Sequence, residues 1–298
     1  MPHCKGIHYY FFALGFVVLV FLAVFLKVVF SGHVVVLQTL NLGFFTVRYY
    51  GILMALAVLA GYMFARRRVS DYGITLEQAD DLIFWLIVGG FIGARLYHII
   101  SSGNYYFYHP FQMLEVWKGG LSIYGALFGG LFALWVTKKV LLLKTPFFNL
   151  LDWLVPSLVI GQIIGRFGNF FNYELFGYPT QLPWKMYVPN SFRPENYLAS
   201  GFFHPLFLYE AIGSFIILII TLKYTKRWLP GTLFFTYILL YNCLRFQLEF
   251  MRIDSVFFGH VRVNALVSLI LVIIAVCGIL YIHARKNKPL TAPAIDSI

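Results

Sequence analysis

The sequence predicts an all-α, polytopic integral membrane protein, and three observations support that fold class. Hydrophobic residues make up 60% of the 298 residues, charged residues only 12%, and the mean hydropathy is +0.77. Soluble proteins average roughly 45–50% apolar and about 25% charged residues, so a soluble globule could not bury this much apolar surface. The apolar residues also fall into eight stretches, each near the roughly 20 residues that a helix needs to cross a bilayer.

Polar or Gly/Pro-containing loops separate the eight predicted spans. The spans are residues 8–30, 47–65, 81–101, 119–137, 147–167, 204–222, 231–250 and 262–283. The longest break, at about residues 168–203, is rich in Pro, Asn and Tyr, and we expect it to form a small extracytoplasmic cap. The first span is longer than the core of a signal peptide and has no clear small-x-small cleavage site, so we expect a retained helix.

The basic residues predict the orientation of these spans. Of the 23 Lys and Arg residues, 13 lie before the first span or after an even-numbered one, and seven lie on the opposite side, in loops or at the outer ends of spans. Because cytoplasmic loops are enriched in Lys and Arg, both termini are predicted to be cytoplasmic and the cap to lie outside. The net charge of +11 is spread over short loops, which indicates that the basic residues set the topology and attract anionic membrane lipid. We therefore expect no nucleic acid partner.

The cysteines indicate neither a disulfide framework nor a metal site. Cys4, Cys243 and Cys277 are far apart and show no CxxC or Cys/His ligand spacing. We therefore expect no metal and no cofactor. The composition excludes a soluble enzyme, a disordered linker protein and a disulfide-rich secreted domain.

Three arginines fall within or at the ends of predicted spans, where a charge is costly. An arginine near the bilayer centre costs at least about 2.5–3.5 kcal/mol, and such residues are functional by default. They are Arg95 in GGFIGARLYHII, Arg166 in IIGRFGNFFNYELFG and Arg245 in LLYNCLRFQLEFMR. For Arg95, a substrate-binding role and a structural role as a snorkelling or paired side chain are equally open.

The polar neighbours of Arg166 and Arg245 favour a binding site. Arg245, Glu249 and Arg252 are spaced i, i+4 and i+7, which places them on one helical face. Arg166 stands three residues before Asn169, and the same stretch continues with Asn172, Glu174 and Gly177. Guanidinium groups bind phosphate bidentately, so the two arginines predict a site for an anionic headgroup. A purely structural network of ion pairs is the alternative.

Other polar side chains lie at the same predicted depth, near the outer ends of several spans. They are Tyr50, Tyr124, His204, Tyr209 and Glu210. An aromatic belt at the membrane interface is an alternative for the tyrosines. His204 precedes Pro205, a residue that suits a first helical turn, so this histidine could also serve only as a cap.

The segment GRFGNFFNYELFG (residues 165–177) resembles the signature of the bacterial prolipoprotein diacylglyceryl transferases. The family pattern is close to G-R-x-x-N-F-x-N-x-E-x-x-G, and every fixed position is matched. Supporting segments follow in the right order: VRYYG (47–51), GARLYHII (93–100), KGGLSIYGALFG (118–129), HPLFLYE (204–210) and LRFQLEFMR (244–252). The family has seven spans, so the resemblance implies a membrane domain at 45–285, an extra N-terminal helix with its linker at 1–44, and a cytoplasmic tail at 286–298.

The resemblance implies the function. The family transfers the diacylglyceryl group of phosphatidylglycerol to the thiol of the lipobox cysteine in prolipoprotein signal peptides, at the outer face of the bacterial inner membrane. The implied catalytic residues are Arg166, Arg245, Asn169, Glu174, Tyr50 and Glu249. We predict substrate binding, beside the two arginines, by Gly177, which the resemblance implies, and by polar residues near the span ends: Asn172, Tyr124, His204 and Arg95.

One position departs from the family. Many members carry a histidine, a candidate general base, where Tyr124 stands here. Neutral tyrosine, with a pKa near 10, is a poor base at neutral pH, so the identity of any base stays open, with His204 as a substitute. A catalytically inactive lipid-binding relative and a membrane transporter are the alternative functions. The role of the first helix, as a substrate-facing gate or a simple anchor, is also open.

Overall fold

The computed structural model describes residues 17, 20–21, 23–116, 119–224 and 228–286, and these residues are mainly helical. Two predicted segments lie partly outside the described residues: the first span, at residues 8–16, 18–19 and 22, and the tail, at residues 287–298. Residues 23–30 are helical. The helices after them are α1 (Tyr49–Arg66), α2 (Leu76–Ser101), α3 (Tyr105–Tyr108), α4 (Ile123–Val140), α5 (Phe147–Phe171), α6 (Leu206–Tyr224), α7 (Thr232–Glu249) and α8 (Val263–Lys286).

The long helices occupy the places where the sequence predicts spans. In the described part of the chain, six helices are long and apolar enough to cross a membrane: α1, α2, α4, α5, α6 and α8. Helix α7 forms where a span is predicted at 231–250, but it is not among the six, because Arg245, Gln247 and Glu249 lower its hydropathy. Helix α2 begins five residues before the predicted start, because Thr75 and Gln78 form a capping box there.

The chain forms two compact units. Unit 1 comprises Met1–Ala57, Val159–Ile219 and Ile238–Val276, and unit 2 comprises Val58–Leu158, Ile220–Tyr237 and Cys277–Ile298. The core of unit 1 contains the fully buried Phe203, Leu206 and Phe207 together with Val29, Phe30 and Phe170. The core of unit 2 contains Ala79, Leu82, Leu134, Leu150 and Trp153.

In unit 2, α2 and α4 pack closely through two facing GxxxG motifs. The motifs are Gly89–Gly93 on α2 and Gly125–Gly129 on α4, and a Cβ added at Gly89 would lie 2.9 Å from the carbonyl oxygen of Gly129. Small residues in this pattern let two membrane helices approach until their backbones touch. Any larger side chain at these positions would separate α2 from α4.

Also in unit 2, two adjacent side chains of α5 form hydrogen bonds with backbone groups near the ends of other helices. The Asp152 carboxylate accepts hydrogen bonds from the backbone N–H groups of Gly231 (2.6 Å) and Phe234 (2.7 Å), at the start of α7. The Trp153 indole donates to the carbonyl of Ala65 at 2.9 Å, near the end of α1. Both contacts pair backbone groups that have no partner within their own helix.

Three short strand pairs in unit 1 add to the predicted all-α fold. The pairs are antiparallel: β1 (Thr39–Asn41) with β2 (Thr46–Arg48), β3 (Met186–Tyr187) with β4 (Phe202–Phe203), and β5 (Phe257–Phe258) with β6 (Val261–Arg262). The β3–β4 pair and the short turns Asn190–Phe192 and Glu195–Tyr197 form the body of the cap, which begins after α5 ends at Phe171. The other two pairs lead directly into α1 and α8.

Candidate active site

Arg166, the first of the two arginines predicted for the site, lies in the C-terminal turns of α5, within unit 1. Arg166 donates from Nη1 to Oδ1 of Asn169, three residues further along the helix, at 3.3 Å. The Tyr50 ring packs against Gly168, where an added Cβ would lie 2.9 Å from Tyr50 Cδ2. The sequence therefore needs glycine at position 168 so that the side chain at the start of α1 can contact the signature segment.

A completely buried carboxylate, Glu210 on α6, joins the two predicted arginines. Its Oε1 lies 2.5 Å from Nη2 of Arg166, and its Oε2 lies 3.0 Å from Nη1 of Arg245 on α7. Tyr241, also on α7, donates its hydroxyl to Oε1 at 2.7 Å and accepts from Arg166 Nη2 at 3.0 Å. Both guanidinium groups are therefore held by the same carboxylate.

The ion pairs continue beyond Arg245. Its Nη2 lies 3.4 Å from Oε2 of Glu249, one turn later on α7, and the other oxygen of Glu249 accepts from Asn264 on α8 at 3.2 Å. Arg252 lies 3.9 Å from Oε2 of Glu249, the oxygen that also faces Arg245, and it forms a bidentate pair with Asp254 at 2.9 and 2.6 Å. We call the six alternating charges the charge chain: Arg166, Glu210, Arg245, Glu249, Arg252 and Asp254.

The charge chain places cationic groups where solvent or a substrate can reach them. Glu210 has 0% of its side chain exposed, whereas Arg166 keeps 24% and Arg245 keeps 15%. A guanidinium has five N–H donors, so pairing with one or two carboxylates does not exhaust its capacity for a phosphate. The predicted ion-pair network and the predicted anion site are therefore compatible descriptions of the same residues.

Asp254 and Arg252 lie beyond α7, at the end of the charge chain. Burial raises the pKa of the Asp254 carboxyl, but the hydrogen bonds and charge of Arg252 outweigh it and hold that pKa below its ordinary value. Burial lowers the pKa of Arg252, and the hydrogen bonds to Asp254 together with the negative charges of Asp254, Glu249 and Glu210 more than reverse this. Both groups therefore stay charged at neutral pH.

The turn after α5 presents Glu174 to the outside of the protein. Asn169 donates to Oε2 of Glu174 at 3.1 Å, and Asn172 donates to Oε1 at 3.2 Å. The residues on either side, Tyr173 and Leu175, are buried and have positive φ angles of 53° and 57°. This backbone conformation is uncommon for bulky residues, so the surrounding contacts must hold the turn in place.

Gly177 and His204 adjoin each other through their backbones. The Gly177 N–H donates to the His204 carbonyl at 2.9 Å, and a Cβ at Gly177 would lie 2.6 Å from the Met251 carbonyl oxygen. The His204 ring is 3.1 Å from the Tyr209 hydroxyl, which accepts from the Trp184 indole at 2.6 Å. Burial lowers the pKa of His204, so its neutral form is favoured at neutral pH.

Arg95 and Tyr124 belong to unit 2. Arg95 donates only to backbone carbonyls among the hydrogen bonds seen in the described residues: Met113 at 2.9 Å, Gly119 at 2.8 Å, Gly120 at 3.0 Å and Gln112 at 2.5 Å. These bonds fasten the segment that leads into α4. The Tyr124 ring, in the first turn of α4, lies 6.1 Å from the Tyr97 ring. Substrate binding by Arg95 and Tyr124 stays a prediction.

The sequence analysis places Glu210 among the polar side chains near the outer ends of the spans but assigns it no role, and it does not single out Tyr241. Glu210 is in the HPLFLYE segment, and a glutamate in an otherwise apolar helix needs a buried cationic partner. That requirement, applied to Arg166 and Arg245, was the signal that could have found it. Tyr241 carries no comparable signal. Among the residues that the structure describes, no three His, Cys, Asp or Glu side chains are grouped closely enough to hold a metal ion.

Comparison with known proteins identifies the family. The model of the family described as prolipoprotein diacylglyceryl transferase matches residues 37–281. The chain belongs to the prolipoprotein diacylglyceryl transferase family. The predicted resemblance is thus confirmed, and the match includes every predicted site residue from Tyr50 to Glu249. The apolar helices and the family together make the chain a multi-pass membrane protein.

Relatives in this family are similar over nearly their whole length. A protein of Thermosynechococcus vestitus is 39% identical over 255 residues, which cover 85% of this chain and 94% of that protein. Proteins of Fervidobacterium nodosum (40% over 270 residues, 89% and 91% coverage) and Thermotoga maritima (39% over 274 residues, 90% and 92% coverage) are similar to the same extent. All three are named phosphatidylglycerol–prolipoprotein diacylglyceryl transferase.

Proposed function

We propose that the chain is a transferase that moves the diacylglyceryl group of phosphatidylglycerol to the thiol of the lipobox cysteine in prolipoprotein signal peptides. The products are a thioether on the peptide and glycerol 1-phosphate, and the reaction is the first step of lipoprotein maturation. The observation that carries the proposal is the pairing of Arg166 and Arg245 on the buried Glu210. The names and coverage of the relatives support the same activity.

The arginines are suited to the leaving group of this reaction. The thiolate sulfur forms a bond to the terminal glycerol carbon of the diacylglyceryl group, and the bond from that carbon to the phosphate oxygen breaks. The electron pair of the broken bond stays on the phosphate, so negative charge increases there. Two fixed guanidinium groups at this point stabilise the transition state more than the ground state.

The signature segment supplies the polar groups around the arginines. Asn169 orients Arg166, and Asn169 with Asn172 fixes the carboxylate of Glu174 at the outer edge of the site. Tyr50 packs on Gly168 of the same segment, and Gly177 packs on the backbone of Met251. We assign Arg166 and Arg245 to the phosphate and Glu174 with the two asparagines to the glycerol headgroup or the incoming peptide.

The thiol proton needs an acceptor or a depressed thiol pKa. A thiol close to cationic groups loses its proton more easily, which Arg166 and Arg245 provide without any general base. Tyr124 stands where many family members have a histidine, and His204 is bound to Tyr209 in the described part of the chain. We therefore propose activation of the thiol by the charge of the arginines.

We further propose that the protein lies in the bacterial inner membrane with both termini in the cytoplasm and the active site toward the outer leaflet. The distribution of Lys and Arg supports this orientation, because 13 of the 23 lie on the predicted cytoplasmic side. We also propose that the chain divides into an extra N-terminal helix with its linker (residues 1–44), the transferase membrane domain (45–285) and a cytoplasmic tail (286–298). With this orientation the charge chain lies toward the outer face of the membrane, where the family resemblance implies that transfer takes place.

A direct assay tests the activity. Purified protein in detergent is mixed with phosphatidylglycerol and a peptide that carries a lipobox cysteine. Mass spectrometry then detects the diacylglyceryl thioether, and a separate assay detects glycerol phosphate. We expect product from the wild type and no detectable product from Arg166→Ala.

The matched control is Arg66→Ala, which removes an arginine from the exposed Arg66–Asp80 ion pair of unit 2. Exposed ion pairs contribute at most about 1 kcal/mol, so this variant should retain the wild-type rate. Folded wild-type protein that binds phosphatidylglycerol but forms no thioether would contradict the proposal and favour the inactive lipid-binding relative, the alternative that Tyr124 and the extra first helix leave open. Protein-dependent movement of a solute across vesicles without thioether would favour a transporter.

A further inference from the structure

The segment before the family match contacts the turn that carries Glu174. The match begins at residue 37. The hydroxyl of Tyr173 accepts a hydrogen bond from the backbone N–H of Val36 at 2.8 Å and donates to the Val36 carbonyl at 3.1 Å. Gln38 donates from its side chain to the carbonyl of Asn172 at 3.2 Å. Three hydrogen bonds therefore join residues 36–38 to the two residues that directly precede Glu174.

Apolar contacts seat the same segment in unit 1. Val29 and Phe30 are buried, and the Phe30 ring lies 6.2 Å from the rings of both Phe170 and Phe207. Gly32, with a φ of +80°, lies under the Tyr187 ring, where a Cβ would be 2.8 Å from Cγ. The segment thus enters the core beside the end of α5 and beside the cap.

The Tyr173 turn needs such an external support. Tyr173 and Leu175 both have left-handed backbone angles, a strained conformation for residues other than glycine that persists only where surrounding contacts hold it. Tyr173 is 4% exposed and stacks on Phe192 at 4.8 Å. Burial raises the pKa of the Tyr173 hydroxyl, so it stays protonated and keeps its donor for Val36.

We propose that residues 29–38 are a positioning element of the active site, which acts through Tyr173 to fix Glu174 against Asn169 and Asn172. The first helix is then more than an anchor, because the chain that follows it is hydrogen-bonded to the turn that carries Glu174. Tyr173 is a positioning residue and not a catalytic one, since its hydroxyl is occupied by the Val36 backbone. This inference rests on the proposed function for its rate readout only.

Tyr173→Phe tests the proposal, because it removes both hydrogen bonds to Val36 and keeps the ring that stacks on Phe192. We expect a loss of about tenfold in kcat/KM for thioether formation, with little change in the unfolding temperature. Tyr105→Phe is the matched control, since it removes an exposed hydroxyl bond to Gln112 in unit 2 and should leave the rate unchanged. Gln38→Ala should cause a smaller loss in the same direction.

A double-mutant comparison separates positioning from general destabilisation. If Tyr173 acts through Glu174, the Tyr173→Phe loss should disappear in a Glu174→Gln background, because the group being positioned has already been changed. An equal loss in both backgrounds would overturn the proposal. So would a wild-type rate in Tyr173→Phe.

A second readout does not need activity. The backbone N–H of Glu174 donates to the Asn169 carbonyl at 2.9 Å, and its hydrogen exchange reports the turn directly. We expect exchange across residues 172–176 to increase at least tenfold in Tyr173→Phe and to stay unchanged in Tyr105→Phe. Unchanged exchange in Tyr173→Phe would overturn the positioning role even if the wild type formed no thioether.

Discussion

Two arginine environments, one in each unit, show how the same residue type serves different purposes in this protein. Arg95 of unit 2 donates to four backbone carbonyls, and those bonds fasten the segment before α4. Arg166 and Arg245 of unit 1 pair with carboxylate and amide side chains and keep part of their surface exposed. A guanidinium that donates mainly to carbonyls holds a loop, whereas one held by carboxylates on one side can still bind an anion on the other.

Carbonyl-bound arginines recur in unit 1 and support that distinction. Arg193 donates to the carbonyls of Val188 (2.7 Å) and Leu198 (2.9 Å) in the cap. Arg262 donates to the carbonyls of Glu249 (2.7 Å) and Arg252 (3.3 Å), at the junction between α7 and the β5–β6 pair. Both arginines fix irregular backbone, and Arg262 does so at two residues of the charge chain. The partners of an arginine, and not its depth in a helix, therefore separate the two roles.

The largest expected effect follows from removing either arginine of the charge chain. Arg166→Ala and Arg245→Ala should each abolish transfer, because the leaving phosphate loses a fixed cationic donor. Removing one such donor costs about 10²–10³ in rate in other enzymes, and here the group also carries a full charge. Thioether formation measured by mass spectrometry checks this. Retained activity in either variant, in folded protein, would refute the phosphate-binding role.

Arg95→Ala should act on stability instead. Leaving buried carbonyls without a donor costs about 1–3 kcal/mol each, so the unfolding temperature in detergent should fall by several degrees. In the folded fraction, KM for phosphatidylglycerol should match the wild type. A raised KM with an unchanged unfolding temperature would instead support the substrate-binding role that the sequence predicts for Arg95 and would remove the distinction between the two environments.

The sequence was sufficient for contacts within one helix and insufficient for contacts between helices. The pairs Arg245–Glu249 and Arg166–Asn169 follow from the spacing of residues on a helical face, and both are present. Glu210 on α6 meets Arg166 on α5 and Arg245 on α7 only through the packing of three different helices. No local spacing encodes that meeting, and the same is true of the contact between Val36 and Tyr173.

The helices themselves were predictable because bilayer-length apolar runs are a strong signal, while their ends depend on local groups. Helix α2 starts at Leu76 because of the Thr75 cap, although the apolar run begins later. Helix α7 was predictable as a helix but is less apolar than the six others, because it carries Arg245 and Glu249 of the charge chain. The facing GxxxG motifs of α2 and α4 were readable in the sequence, but their pairing was not.

Tyr124→His tests the unit 2 side of the comparison. The Arg95 bonds to Gly119 and Gly120 fix the entry to α4, and Tyr124 lies in the first turn of that helix. If the arginines activate the thiol, a histidine at this position should leave the rate unchanged or raise it. The measurement is the rate of thioether formation as a function of pH. A large loss would show that Tyr124 has a role of its own.

The smallest expected effect concerns His204, which lies in unit 1 before α6 and has Tyr209 as its side-chain partner among the described contacts. Burial lowers the pKa of His204 below its ordinary value of 6.5. The unfolded chain therefore binds a proton more readily than the folded protein just below that pH. The contribution of His204 to stability should be fully present above pH 6.5 and should decrease as the pH falls below it.

Unfolding temperatures of the wild type and of His204→Gln, measured between pH 7.5 and pH 5, isolate this contribution. We expect the wild type to lose more stability on acidification than His204→Gln, because only the wild type carries the buried imidazole. Tyr209→Phe is the control: it removes the hydroxyl bonds to His204 and Trp184 but keeps the burial, so its pH dependence should follow the wild type while its overall stability falls. If His204→Gln and the wild type had the same pH dependence, burial would not disfavour the charged imidazole, and His204 would again be a candidate to accept the thiol proton.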